Sequence, residues 1–211
     1  MQIKIVTNYI VLVTSVKCQR IRVVGVDLAG SERRETGWAL LDGRTLTVKK
    51  LFSDDEIIRE TLDAHPLVVA IDAPLSLPTS GKMRRADREM HRFGLPVLPP
   101  LFPHMRMLTY RGIRIARILR SHGLKVIEVH PTSTRKILGL PPRKDPMVIQ
   151  DAITKLGYNG DVRRKSLSMH EVDAILAAIT AELYIRGLTT EVGDPMEGVI
   201  IIPRRSDERI E

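Results

Sequence analysis

Three apolar runs along the chain each stop at an acid. Val23-Val24-Gly25-Val26 delivers Asp27, Leu67-Val68-Val69-Ala70-Ile71 delivers Asp72, and Leu124-Lys125-Val126-Ile127 delivers Glu128. Short apolar runs bounded by turn residues read as buried strands. A carboxylate at the end of such a strand is costly unless a metal, a cation or several donors meet it. Between the first two runs, residues 36–41 and 45–52 read as further strands, and Asp42-Gly43 between them is a two-residue hairpin signal. Residues 21–52 thus predict three consecutive antiparallel strands. Ser53-Asp54-Asp55-Glu56 is a capping box, and Ile57, Ile58 and Leu62 give the helix behind it an apolar face until Pro66. A helical crossover implies parallel pairing of the fourth strand with the first. That fourth strand is apolar at every position before Asp72, as suits a strand covered on both faces.

Residues 75–104 are rich in proline and charge, and an insertion this long between core elements is a candidate lid. Residues 105–121 read as a helix with Leu108, Gly112, Ile115, Ala116 and Leu119 along one stripe. Arg106, Arg117 and Arg120 lie opposite that stripe, Arg111 lies near its edge, and Gly123 closes the helix. After the fifth strand come a short helix over 132–138 and another opened by Asp145-Pro146 and ended by Gly157. A second capping box, Ser168-Met169-His170-Glu171, opens a helix to Ile185 that carries Asp173 among Ala, Ile and Leu. Residues 198–203 read as a late strand.

This order of elements predicts an α/β fold: a mixed five-stranded sheet of order 3-2-1-4-5 with helices on its faces. Strands one, four and five then end at one edge of the sheet, so Asp27, Asp72 and Glu128 arrive together there. The domain is expected over 21–203 with the insertion at 75–104, an N-terminal extension at 1–20 and a short tail at 204–211.

Composition adds a partner. The 211 residues carry a formal charge of +8 and a pI near 9.9, mostly through Arg, which suits phosphate-rich ligands. Lys82, Arg84, Arg85, Arg88 and Arg111 are the candidate contacts to DNA or RNA. A single cysteine, Cys18, offers neither an internal disulfide nor a metal framework, so a reducing cytoplasm is the expected compartment. The apolar stretch at 9–13 is too short to span a bilayer. A homodimer is compatible with this reading.

Converging carboxylates cannot stay ionised together without cations between them, and hard oxygen donors select Mg²⁺ or Mn²⁺. Blander readings stand beside this one: Asp27 and Asp72 as turn residues, Glu128 as a solvated strand end, His170 as a structural histidine and Glu171 as a cap. The motifs Gly25-Val26-Asp27-Leu28-Ala29-Gly30-Ser31, Ala70-Ile71-Asp72-Ala73-Pro74, Arg111-Gly112, Ile127-Glu128-Val129-His130-Pro131, His170-Glu171-Val172-Asp173-Ala174 and Asp194-Pro195-Met196-Glu197-Gly198 together resemble the family catalogued as domain of unknown function 429. Members of that family are predicted nucleases with a ribonuclease-H-like fold. The stretch from His170 to Ala174 also resembles the last active-site motif of RuvC-type Holliday junction resolvases. The resemblance implies phosphodiester hydrolysis by two metal ions. Asp27 would bridge both, Asp72 and Asp173 would each complete one site, and Glu128 or His170 would hold or orient the attacking water. A nucleotide-binding phosphotransferase of the actin-like group and a nucleic-acid-binding module without turnover are the alternatives.

Overall fold

The computed structural model describes residues 21–142, 145–164 and 166–205, so the N-terminal extension and most of the tail lie outside the described residues. The elements run β1 (Arg22–Asp27), β2 (Thr36–Asp42), β3 (Thr45–Leu51), α1 (Asp54–Asp63), β4 (Val68–Asp72), α2 (Arg85–Arg92), α3 (Arg106–Ser121) and β5 (Lys125–Val129). They continue through α4 (Pro131–Ile137), α5 (Pro146–Lys155), β6 (Asn159–Gly160), α6 (Asp161–Arg164), α7 (Met169–Ile185), β7 (Thr189–Asp194) and β8 (Gly198–Pro203).

One mixed sheet runs through the molecule in the order β6-β3-β2-β1-β4-β5-β8-β7. The five strands expected from the sequence form its centre in the expected order, 3-2-1-4-5. Among the described residues the count of five needs correcting to eight. β6 is two residues long, and β7, with the single buried residue Val192, carries no alternating apolar signal. Both therefore escape a reading by periodicity. The late strand at 198–203 is β8, which pairs parallel with β5 through Glu128↔Ile200 and Val129↔Ile201.

Alternation along the strands divides the core into two layers. Val23 of β1 and Val68 and Ala70 of β4 share a core with α7. Val24 and Val26, with Val69 and Ile71, face the other way onto Ile57 of α1 and Ile115, Ala116 and Leu119 of α3. β4 is thus covered on both faces, as its unbroken apolar run requires. The α7 helix is buried almost all round, which its Ala, Ile and Leu content permits. Both capping boxes form: Ser53 with Glu56 and Ser168 with Glu171.

The insertion is anchored to the body. Ala86 and Met90 of α2 and Leu95 pack on Val192, Ile200 and Ile202 of the β7–β8 hairpin as a third small core. Gly193 and Gly198 permit this approach: a Cβ at Gly193 would stand 2.6 Å from the Ala86 Cβ, and one at Gly198 would stand 2.2 Å from the Ser76 Oγ. The expected lid is a docked subdomain.

Candidate active site

Parallel pairing of β1 with β4 puts Asp27 directly beside Asp72, the last pair of a register that begins at Val23↔Val68. Residues paired across strands share a face, and every second residue along a strand returns to it. Asp27 follows Val23 and Gly25, and Asp72 follows Val68 and Ala70, so both carboxylates belong to the face covered by α7. Glu128 belongs to the other face. It pairs at the level of Ile71, one residue before the position that would continue the Asp27–Asp72 row, and it shares the parity of Val126 beneath α3.

Two glycines seat α7 against the acids. A Cβ on Gly25 would lie 2.1 Å from the Ala174 carbonyl oxygen, and one on Gly37 would lie 2.0 Å from that of His170. With both absent, the first turn of α7 drops onto β1 and β2. The His170 Nδ1 then comes within 2.7 Å of the Asp27 Oδ2. Asp27 is nearly covered there, with 13% of its side chain exposed, against 42% for His170. Asp173, one turn further along, is buried on the same helix. Among the described residues no group of three or more His, Cys, Asp and Glu side chains is arranged to hold a metal ion.

Glu128 has a different partner altogether. The Arg84 guanidinium donates Nη2 to Glu128 Oε1 at 2.6 Å and Nη1 to Oε2 at 2.7 Å, and the Leu75 amide donates to Oε2 at 2.7 Å. Arg84 also grips Asp87, its neighbour at i+3, and the Ser76 hydroxyl. Arg84 and Asp87 are 1% and 0% exposed, so the triad is wholly internal. Burial pushes the Glu128 carboxyl up, while the Arg84 fork and the Leu75 amide pull against it. Both acids hold the Arg84 cation above its ordinary value despite the same burial. Glu128, expected from the sequence among the metal ligands, is here a partner of a bidentate arginine and an amide.

Asp27, Asp72 and this triad border one cleft of about 200 Å³, walled on its far side by Val97, Leu98, Met105 and Leu108. His130 lines it too. Burial lowers the His130 imidazole to about 4, helped slightly by Lys136, so it is neutral at physiological pH, and the Ser133 hydroxyl fixes its Nδ1 at 2.7 Å. The sequence offered His130 only as part of a motif. Its neutrality comes from tertiary packing.

The profile of the family described as Protein of unknown function (DUF429) matches residues 25–197. The chain belongs to that family. No curated protein matches it. Among solved structures, the Thermus thermophilus RuvC structure is similar over 79% of this chain and 96% of that chain, with 13% identity and a TM-score of 0.48.

The DUF429 match contains every acid of the site and both histidines. It also contains the five cations expected to meet nucleic acid, and these divide sharply. Lys82, Arg85 and Arg88 are exposed on the insertion. Arg84 is buried as described, and Arg111 is 5% exposed, so neither is a surface contact. Arg111 donates Nε to Asp54 at 2.6 Å, Nη1 to the Ala29 carbonyl at 2.7 Å and Nη2 to the Phe52 carbonyl at 2.6 Å. It thereby ties α3 to the loop after β1 and to the start of α1. In the DUF429 chain this arginine is a clamp beneath the loop that follows Asp27. No helix among the described residues is long and apolar enough to cross a membrane.

Proposed function

We propose that this chain is a metal-dependent nuclease of the cytoplasm that hydrolyses phosphodiester bonds of DNA or RNA at the Asp27–Asp72 end of the sheet. The observation that carries the reading is the lateral pairing of these two acids, on one face and in one cleft, with a titratable imidazole on Asp27. The donors fit a hard divalent ion. Mg²⁺ keeps several waters and takes one or two carboxylates together with substrate phosphate oxygens, so two aspartates suffice for one ion without a third protein ligand. Asp27 and Asp72 would hold that ion, and Asp173 would serve a second in the two-ion form of the reaction. Such ions lower the pKa of bound water and stabilise charge on the phosphate.

The chain's own groups supply orientation and proton handling. Asp27 accepts a hydrogen bond from the His170 Nδ1–H, and the His170 side chain, 42% exposed, is open to solvent on its other side. His130, held neutral by burial, adds no positive charge to the cleft and can donate one hydrogen bond to a phosphate oxygen. The Arg84–Glu128 pair holds the turn after β4 through the Leu75 amide, which keeps Asp72 at its level beside Asp27.

The test is cleavage of branched, single-stranded, duplex and hybrid substrates with Mg²⁺ or Mn²⁺ by the parent and by Asp27→Asn. Asn keeps the shape and the hydrogen bond but removes the charge. Loss of cleavage on a folded variant supports the reading, and cleavage that persists in Asp27→Asn overturns it.

A further inference from the structure

Helix α3 buries Gly112, Ile115, Ala116 and Leu119, and its opposite face is unusual in what it leaves out in water. Met107 is 66% and Tyr110 54% exposed. Positions 107, 110, 114 and 117 succeed each other at helical spacing, so this face presents a thioether and an aromatic ring first, then Arg114 and Arg117. Met107, Tyr110, Arg111 and Arg114 face Gly30, Ser31 and Glu32 across an open groove of about 450 Å³.

The groove and the acid cleft are built from neighbouring residues of the chain. Leu28 and Leu108 line the cleft, while Gly30 and Met107 line the groove, so the same loop and the same helix form walls of both. Contiguous exposed apolar side chains mark an interaction surface more often than isolated ones do. Arg114 is shared with Asp54 and Glu32, which leaves ring contact as the main attraction in the middle of the groove. Arg106 and Arg117, both exposed, add positive charge along the same helix.

We propose that this face of α3 is a track for a single-stranded segment of nucleic acid leading into the cleft. Its bases stack on Tyr110 and Met107, and its phosphates are met by the exposed arginines. The inference rests on the nuclease reading for the class of polymer and not for its cleavage. A duplex hides its base faces in the stack, whereas an unpaired strand offers a π-face at every nucleotide, which an aromatic ring reads without regard to sequence. The net charge of +8 and the flanking arginines favour a polyanion over an apolar protein partner.

The experiment measures binding of the full chain, in chelator and so without cleavage, to a labelled single strand, a blunt duplex and a duplex with a single-stranded tail. Tyr110→Ala should weaken single-strand and tailed binding by about 5- to 100-fold, and Tyr110→Phe should stay within about twofold of the parent, since stacking needs the ring and not the hydroxyl. Blunt-duplex binding should follow neither. Single-strand affinity unchanged in Tyr110→Ala, or an equal loss on the blunt duplex, overturns the track. So does a change in the sedimentation of the protein alone on Tyr110→Ala, which would assign the face to contact between copies. If the parent binds single strands through Tyr110 but cleaves nothing with Mg²⁺ or Mn²⁺, the nuclease reading fails and the track stands. If Asp27-dependent cleavage is found and Tyr110→Ala binds and cleaves like the parent, the track alone fails.

Discussion

Asp27 and Glu128 end strands two places apart in the same sheet and line the same cleft, yet their surroundings have opposite logic. Glu128 is locked to a buried arginine whose charge does not vary with pH, and the pair belongs to the frame of the protein. Asp27 meets an imidazole that is 42% exposed and can lose its proton or move away. A carboxylate with a permanent built-in counterion is a structural element. One whose partner is titratable and half solvated keeps capacity to meet a cation from outside. The two histidines near these acids repeat the contrast, with His130 largely covered and neutral and His170 more open to water.

The strongest way to break this comparison is to remove the fixed counterion. Arg84→Ala leaves Glu128 and Asp87 buried without compensation and should cost about 3–5 kcal/mol, read by denaturant unfolding. A cost below about 1 kcal/mol would show that the triad is solvated and that Glu128 is as available as Asp27.

His130 gives the next largest effect. Its imidazole is held down at about 4 from an ordinary 6.5, so between those values the unfolded chain binds a proton that the folded chain refuses. Its contribution to stability is complete above pH 6.5 and is lost as the pH falls towards 4, by about 3 kcal/mol. His130→Asn should flatten that part of the acid limb in a pH series of melts, and an unchanged slope would place His130 in solvent.

Metal titration sharpens the contrast directly. Mn²⁺ at about a hundredfold over its dissociation constant should stabilise the parent by about 2.7 kcal/mol. Glu128→Gln should retain that increment and Asp27→Asn should lose it, as followed by thermal melting. Equal increments in both variants would remove Asp27 as a ligand. The smallest effect is electrostatic: replacing exposed Lys82 and Arg88 by Ala should flatten the log-log salt dependence of nucleic-acid binding by about 2 units if both meet phosphates.

Much of this was legible in the linear chain because it is encoded between near neighbours. The capping boxes at Ser53 and Ser168, the Asp42-Gly43 hairpin and the apolar runs each specify an element within a few residues, and the order of those elements leaves few topologies. The placement of Asp27 beside Asp72 followed from that topology. The role of Glu128 did not. A one-residue offset in register turns a side chain to the opposite face of a sheet, and the short run before Glu128 does not state which residue of β4 it pairs with. Arg84 likewise looked like one more charge in a basic segment, since nothing within its own helix announces a carboxylate 44 residues away. Local periodicity and turn chemistry therefore determined the five central strands, their order and the acids near their ends. Which face each acid took, which glycine let α7 reach it and which cation was already spent were decided only by long-range packing, where partners distant in the chain compete for the same buried charge.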